Sequence, residues 1–187
     1  MKLTNEKEIE QKEPSPRLVL SEIEQDDIEI MYEWFKDTEF LKFYDYVPPV
    51  PLNKEQVNEM FSYYKNGGKS KVFAIKLIEN NQIVGLAGFD DIVKDNYVAT
   101  LFIGLGSKDT RGKGYGWEAL KQLLHYGFNN LNFHRIQLNV LEFNESAIAL
   151  YEKAGFKKEG IFREFVLRDN KRYDLLLYGL LKQEWES

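Results

Sequence analysis

The chain of 187 residues is 43% apolar and 29% charged, the balance of one globular domain rather than of a disordered polypeptide. Its 25 basic and 30 acidic side chains leave a formal charge of −5, which disfavours broad binding to nucleic acid or anionic membrane and tolerates cationic substrates. Cysteine is absent and histidine occurs only as His125 and His134, which excludes thiolate nucleophiles, disulfides, zinc–sulfur sites and a three-histidine metal site.

In chain order, residues 1–16 read as a polar leader closed by Pro14 and Pro16, with the domain proper at 17–187. The leader lacks the apolar stretch of a signal peptide. No segment reaches the ~18–20 apolar residues that span a bilayer, so a soluble, cytoplasmic protein is expected. Arg17–Ile23 reads as a first strand. Asp26 and Asp27 then offer a cap to a helix with Ile30, Met31, Trp34 and Phe35 on one side. Pro48, Pro49 and Pro51 impose a loop over 44–51. Asn53 and Gln56 form a capping-box pattern before Val57, Met60, Phe61 and Tyr64 at helical spacing, and Gly67 and Gly68 stop that helix.

The period then changes. Residues 72–79, 83–90 and 97–105 are runs rich in Val, Ile and Phe with short turns between them, which predicts an antiparallel meander. A glycine-rich loop at 106–116 leads into a helix over about 117–130, with Leu120, Leu123, Leu124 and Phe128 inward. Ile136, Leu138 and Val140 alternate as a strand, a helix runs over about 145–154 to Gly155, and strands at about 156–168 and 172–182 follow. Strands interrupted by single helices point to an α+β fold with a mixed sheet.

The segment Arg111-Gly-Lys-Gly-Tyr-Gly116 carries the chemistry. Gly112, Gly114 and Gly116 alternate with Lys113 and Tyr115 between a strand and a helix. There, backbone N–H groups can converge at a helix N-terminus to make an anion cradle. A Walker loop requires a hydroxyl after Gly-Lys, and Gly114 stands in its place. A dinucleotide fingerprint has a longer last interval, and the similar start at Gly104-Leu-Gly106 is ended by Asp109.

Arg111-x-x-Gly114-x-Gly116 resembles the acetyl-CoA pyrophosphate signature of the GNAT N-acetyltransferases. The segment from Asn132 to Phe156, with Asn144 and Leu-Tyr-Glu-Lys-Ala-Gly-Phe156, resembles the branch that acetylates ribosomal-protein alanines and spermidine. The resemblance implies a twisted, mostly antiparallel sheet with helices on both faces and one parallel strand pair that splays open. It implies acetyl-CoA as cosubstrate, with no metal, and direct transfer to an amine. Leu105, Gly106 and Ser107 would pair with the pantetheine arm, and Arg111, Gly112, Lys113, Gly114, Tyr115 and Gly116 would hold the pyrophosphate. Asn144 would touch the pantetheine in addition to capping its helix, and Lys153 would reach the phosphates. Tyr151, two turns beyond Asn144, would protonate the departing thiolate as the catalytic residue.

Several alternatives stay open at this level. The acceptor is a protein N-terminus or a small amine such as a polyamine. The proton from the amine can pass to Asp90, Asp91, Tyr97 or Glu142. A non-catalytic CoA-binding module on the same fold is the rival reading. Homodimers and larger homo-oligomers are both compatible with the resemblance.

Overall fold

The computed structural model describes residues 15–66 and 68–185. All but the last two residues of the expected leader therefore lie outside the described residues, as does Gly67, one of the two glycines expected to stop a helix. Seven strands form one sheet: β1 (Leu18–Ser21), β2 (Lys71–Leu77), β3 (Ile83–Val93), β4 (Val98–Leu105), β5 (Arg135–Leu141), β6 (Lys157–Arg168) and β7 (Lys171–Leu181). Their order is β1-β2-β3-β4-β5-β7-β6. Every neighbouring pair is antiparallel except β4 and β5.

Helices cover both faces. On one lie α1 (Gln25–Lys36), α2 (Thr38–Tyr44) and α3 (Lys54–Asn66); on the other lie α4 (Tyr115–His125) and α5 (Glu145–Lys153), and the short α6 (Lys182–Trp185) follows β7. The alternation of β2 explains the two layers: Phe73, Ile75 and Leu77 pack with α4 and α5, whereas Ala74 packs with α1 and α3. As the periodicity predicts, Leu120, Leu123, Leu124 and Phe128 are fully buried. Helix α4 begins two residues earlier than expected, and its last stretch, Tyr126–Asn130, is a π-helical turn.

Three readings of the first hundred residues need correction. Strand β1 is shorter than 17–23. The first helix is capped at Glu24, whose N–H donates to the Asp27 carboxylate at 2.9 Å, so Asp27 sits inside the first turn and pairs with the buried Lys76 at 3.0 Å. Ile30 is 45% exposed, because it lies about 100° off the stripe made by Met31, Trp34 and Phe35. The capping box before α3 forms as its spacing requires: Asn53 N–H donates to Gln56 Oε1 and Gln56 N–H to Asn53 Oδ1, both at 2.9 Å.

Helix α2 has no counterpart in the sequence reading. Asp37 ends α1 and accepts from Glu39 N–H at 2.9 Å, so one residue closes one helix and opens the next. Seven residues are too few for a helical period to declare itself.

Candidate active site

The parallel pair sets the site. Strands β4 and β5 keep register over only three positions, Val98 with Arg135, Ala99 with Ile136 and Thr100 with Gln137. Gln137 Nε2 donates to Thr100 Oγ1 at 3.4 Å across the last of them. Beyond it the two strands part, although β4 continues to Leu105 and β5 to Leu141. The other edge of β4 stays on β3, where Gly106 N–H donates to the Val84 carbonyl at 3.0 Å. Successive amides of a strand point to opposite edges, so Ile103 and Leu105 present their backbone groups to the gap. A cleft of about 590 Å³ opens there, walled by Ile103, Gly104 and Leu105 on one side and by Asn144, Ala147, Leu150 and Tyr151 on the other.

Of the three residues expected to meet pantetheine, Leu105 therefore lines the cleft while Gly106 has spent its amide on β3. Gly106 serves packing instead: a Cβ there would lie 2.0 Å from the Trp34 indole of α1. Ser107 organises the next turn, its carbonyl accepting from Thr110 N–H at 3.1 Å and Thr110 Oγ1 at 2.6 Å. Ile103, which sequence reasoning missed, takes their place on the exposed edge.

The glycine-rich loop closes one end of the cleft through Arg111, Gly112, Gly114 and Gly116. Gly112 and Gly114 have φ of +74° and +81°, a region that residues with a Cβ rarely enter. A Cβ on Gly112 would meet nothing within 4 Å, and one on Gly114 would meet only the Arg17 guanidinium at 3.4 Å. Among the described residues, the amides from Gly112 to Trp117 donate to no protein acceptor, and α4 starts at Tyr115. The result is a cradle of N–H groups without a protein acceptor at a helix N-terminus, with the Arg111 side chain beside it. Its geometry and charge fit a diphosphate.

Lys113, Tyr115 and Lys153 stand outside the wall of the cleft. The Lys113 carbonyl accepts from Arg17 Nη1 at 3.1 Å, and the Arg17 guanidinium lies 5.0 Å over the Tyr115 ring. Arg17 also pairs with Glu118 at 3.0 Å, so it ties the start of β1 to the loop and to α4. No local signal could have found Arg17, because its partners lie about a hundred residues away. Lys153 Nζ sits 4.3 Å over the ring of Trp117, which itself lines the cleft.

Asn144 caps α5 as its residue type suggests, accepting from Ala147 N–H at 3.3 Å. Tyr151 follows on the same side of α5, only 6% exposed and packed edge-on against Phe156. Its hydroxyl makes no hydrogen bond among the described residues, and burial pushes its pKa well up, so the proton stays on the oxygen. Both residues also line a second, smaller chamber of about 230 Å³ on the other side of the splay. The two chambers meet at Phe43, Tyr44, Ile103, Asn144, Ala147 and Tyr151.

Two of the four candidate proton acceptors, Asp90 and Asp91, line that second chamber. Tyr97 and Glu142 do not. Tyr97 is a left-handed residue at the start of β4, and the Glu142 carboxylate accepts from Asp174 N–H at 2.9 Å. His125 is exposed on its helix beside Asn129, and the exposed His134 precedes β5; neither lines the cleft. Among the described residues no group of three His, Cys, Asp or Glu side chains could hold a metal ion, and no helix is long and apolar enough to cross a membrane.

Comparison with known proteins places the chain in a family. A family model described as acetyltransferase (GNAT) domain matches residues 17–157. A relative named uncharacterized N-acetyltransferase p20, from Bacillus licheniformis, is 29% identical over 170 residues, covering 90% of this chain and 95% of the relative. The ribosomal protein uS5-alanine N-acetyltransferase of Escherichia coli is 28% identical over 127 residues, covering 67% of this chain and 65% of that protein. Among solved structures, a spermidine N-acetyltransferase from Vibrio cholerae in complex with CoA and spermine superposes with a TM-score of 0.84 at 22% identity, covering 91% of this chain and 99% of the other.

Proposed function

The chain belongs to the GNAT acetyltransferase family, and we propose that it passes an acetyl group from acetyl-CoA to a primary amine at the junction of the two chambers. The observation that carries this reading is Tyr151, a buried tyrosine with an unpartnered hydroxyl that lines both of them. Acetyl-CoA supplies an acyl group already activated as a thioester.

The protein's own groups divide the remaining work. The amides from Gly112 to Trp117 and the Arg111 side chain hold the diphosphate. The backbone edges of Ile103 and Leu105 hold the pantetheine arm as an added strand would be held. Asn144 reaches the same arm with its amide group while it caps α5. The second chamber keeps the amine in line with the acyl carbon, and this positioning supplies most of the acceleration. Tyr151 donates a hydrogen bond from its hydroxyl to the sulfur as the carbon–sulfur bond breaks, and the proton that the amine nitrogen gives up passes through water and ends on the CoA thiolate. A phenol held above its usual value of about 10 gives up its own proton reluctantly to a thiolate of pKa roughly 8.5, so it acts chiefly as a hydrogen-bond donor.

Acetyl-CoA titrated calorimetrically tests the assignment of the cradle. Wild-type protein should bind it, and Gly114→Val should abolish most of the heat, a far larger effect than the drop in melting temperature that a Cβ at positive φ brings. A β-branched residue resists positive φ and places methyl groups where the diphosphate belongs. Normal affinity in the variant would mean that the phosphates lie elsewhere.

A further inference from the structure

Arg17 lines neither chamber, yet it brackets the turn on which the cradle is built. Its Nη1 donates to the Lys113 carbonyl at 3.1 Å and its guanidinium lies 5.0 Å over the Tyr115 ring, so it grips the residues on either side of Gly114. Gly114 is the pivot. Its φ of +81° turns the chain into α4, and its carbonyl accepts from Glu118 N–H at 3.2 Å to begin that helix.

Glu118 in turn aims the guanidinium. Its Oε2 accepts from Arg17 Nε at 3.0 Å, and its Oε1 accepts the backbone N–H groups of Arg17 and Leu18 at 2.5 and 3.0 Å. Gln122 Nε2, one turn further along α4, donates to the Leu18 carbonyl at 3.0 Å. The start of β1, the turn at Gly114 and the first turns of α4 are therefore one hydrogen-bonded unit.

This unit meets two physical needs of an anion site. Amides converge on a diphosphate only while Gly112 and Gly114 hold positive φ, and glycine loses more conformational freedom than any other residue when it is fixed. A loop that settled only on contact with its ligand would bind it more weakly by that cost. The second need is electrostatic. Glu118 is a carboxylate in the first turn of α4, where left alone it would compete with a diphosphate for the same positive helix end and repel it. Pairing with Arg17 cancels that charge, and Arg17 Nη2 is the group nearest the open side of Gly114.

We propose that Arg17 is a positioning residue for the donor: it holds the cradle in its anion-binding shape before acetyl-CoA arrives, and so strengthens binding of the diphosphate half of the cosubstrate but not of the pantetheine half. The proposal rests on the transferase reading above and adds a residue to it. The planar fork is essential, because one guanidinium meets Glu118, the Lys113 carbonyl and the Tyr115 ring together, which the point charge of a lysine does not.

The test titrates acetyl-CoA, and S-acetylpantetheine as the same thioester arm without phosphates, into the full wild-type chain and into Arg17→Met and Arg17→Lys. Arg17→Met should raise the Kd for acetyl-CoA about tenfold or more, the scale of one charge-assisted hydrogen bond, and leave the Kd for S-acetylpantetheine unchanged. Arg17→Lys, which restores the charge without the fork, should fall between wild type and Arg17→Met. An unchanged Kd for acetyl-CoA in Arg17→Met, equal losses for the two thioesters, or full recovery with lysine would each overturn the proposal while the transferase reading stands. An Arg17→Met chain that does not fold hands the same comparison to Arg17→Lys. If the wild type binds no acetyl-CoA, the transferase reading itself fails, and the proposal with it.

Discussion

Tyr151 is where sequence and structure meet most closely at the scale of single residues. Its place two turns beyond Asn144 was readable from spacing, because both lie in one continuous helix. What spacing could not show is that the hydroxyl is unpartnered and that the residue lines two chambers, since that depends on β4 parting from β5. Ile103 and Arg17 were invisible for a related reason. The role of Ile103 follows from which strand edge is free, and that of Arg17 from contacts across the fold. Tyr151→Phe keeps the ring, its packing and its helix propensity. It should lower kcat and kcat/KM together by about tenfold to a hundredfold, at the low end of general-acid effects, and leave acetyl-CoA affinity unchanged. Single-turnover kinetics should show the loss in the chemical step. An unchanged chemical step would reduce Tyr151 to a core aromatic.

Among the secondary elements, the long periodic segments were legible and the short or interrupted ones were not. Helix α4 announced its buried face through Leu120, Leu123 and Leu124, and β5 did so through Ile136, Leu138 and Val140. Helix α2 is too short to show a period, and its role appears only in three dimensions. Its Tyr44 ring lies close enough to β4 that a Cβ on Gly104 would stand 2.8 Å away, just as Trp34 of α1 covers Gly106. The two glycines that imitate the start of a nucleotide fingerprint are therefore places where aromatic rings touch a strand. Gly106→Ala should destabilise the fold by about 1–3 kcal/mol through overpacking, a fall in melting temperature of several degrees for a chain of this size. Pairing it with Trp34→Leu should recover part of the loss. An unaltered melting temperature in the single variant would mean that α1 does not press on β4.

Across the whole molecule, the sheet is held together at the far end by charge as well as by its ladders. Arg135 of β5 donates to Glu159 of β6 at 2.7 Å across Gly179 of β7, which has no side chain to obstruct them. The Arg135 hydrogen bond holds the Glu159 carboxyl below its ordinary value of 4.5. A lowered carboxylate contributes its full stability above that ordinary value and loses it as pH falls through the folded one. The wild-type melting temperature should therefore drop faster below about pH 4.5 than that of Glu159→Gln. Parallel acid limbs would show that the pair adds nothing. With half of Glu159 near solvent, the effect should be modest.

The proposed function requires one splayed cleft both to hold acetyl-CoA and to hand its acetyl group to an amine. The most direct measurement quantifies free CoA and acetylated amine in the same reaction, starting from acetyl-CoA, the purified chain and a panel of amines. One acetylated amine should form for each CoA released, over many turnovers, in the presence of a chelator. Tight acetyl-CoA binding with no acetylated product from any amine would contradict this function and leave a CoA-binding module on this fold.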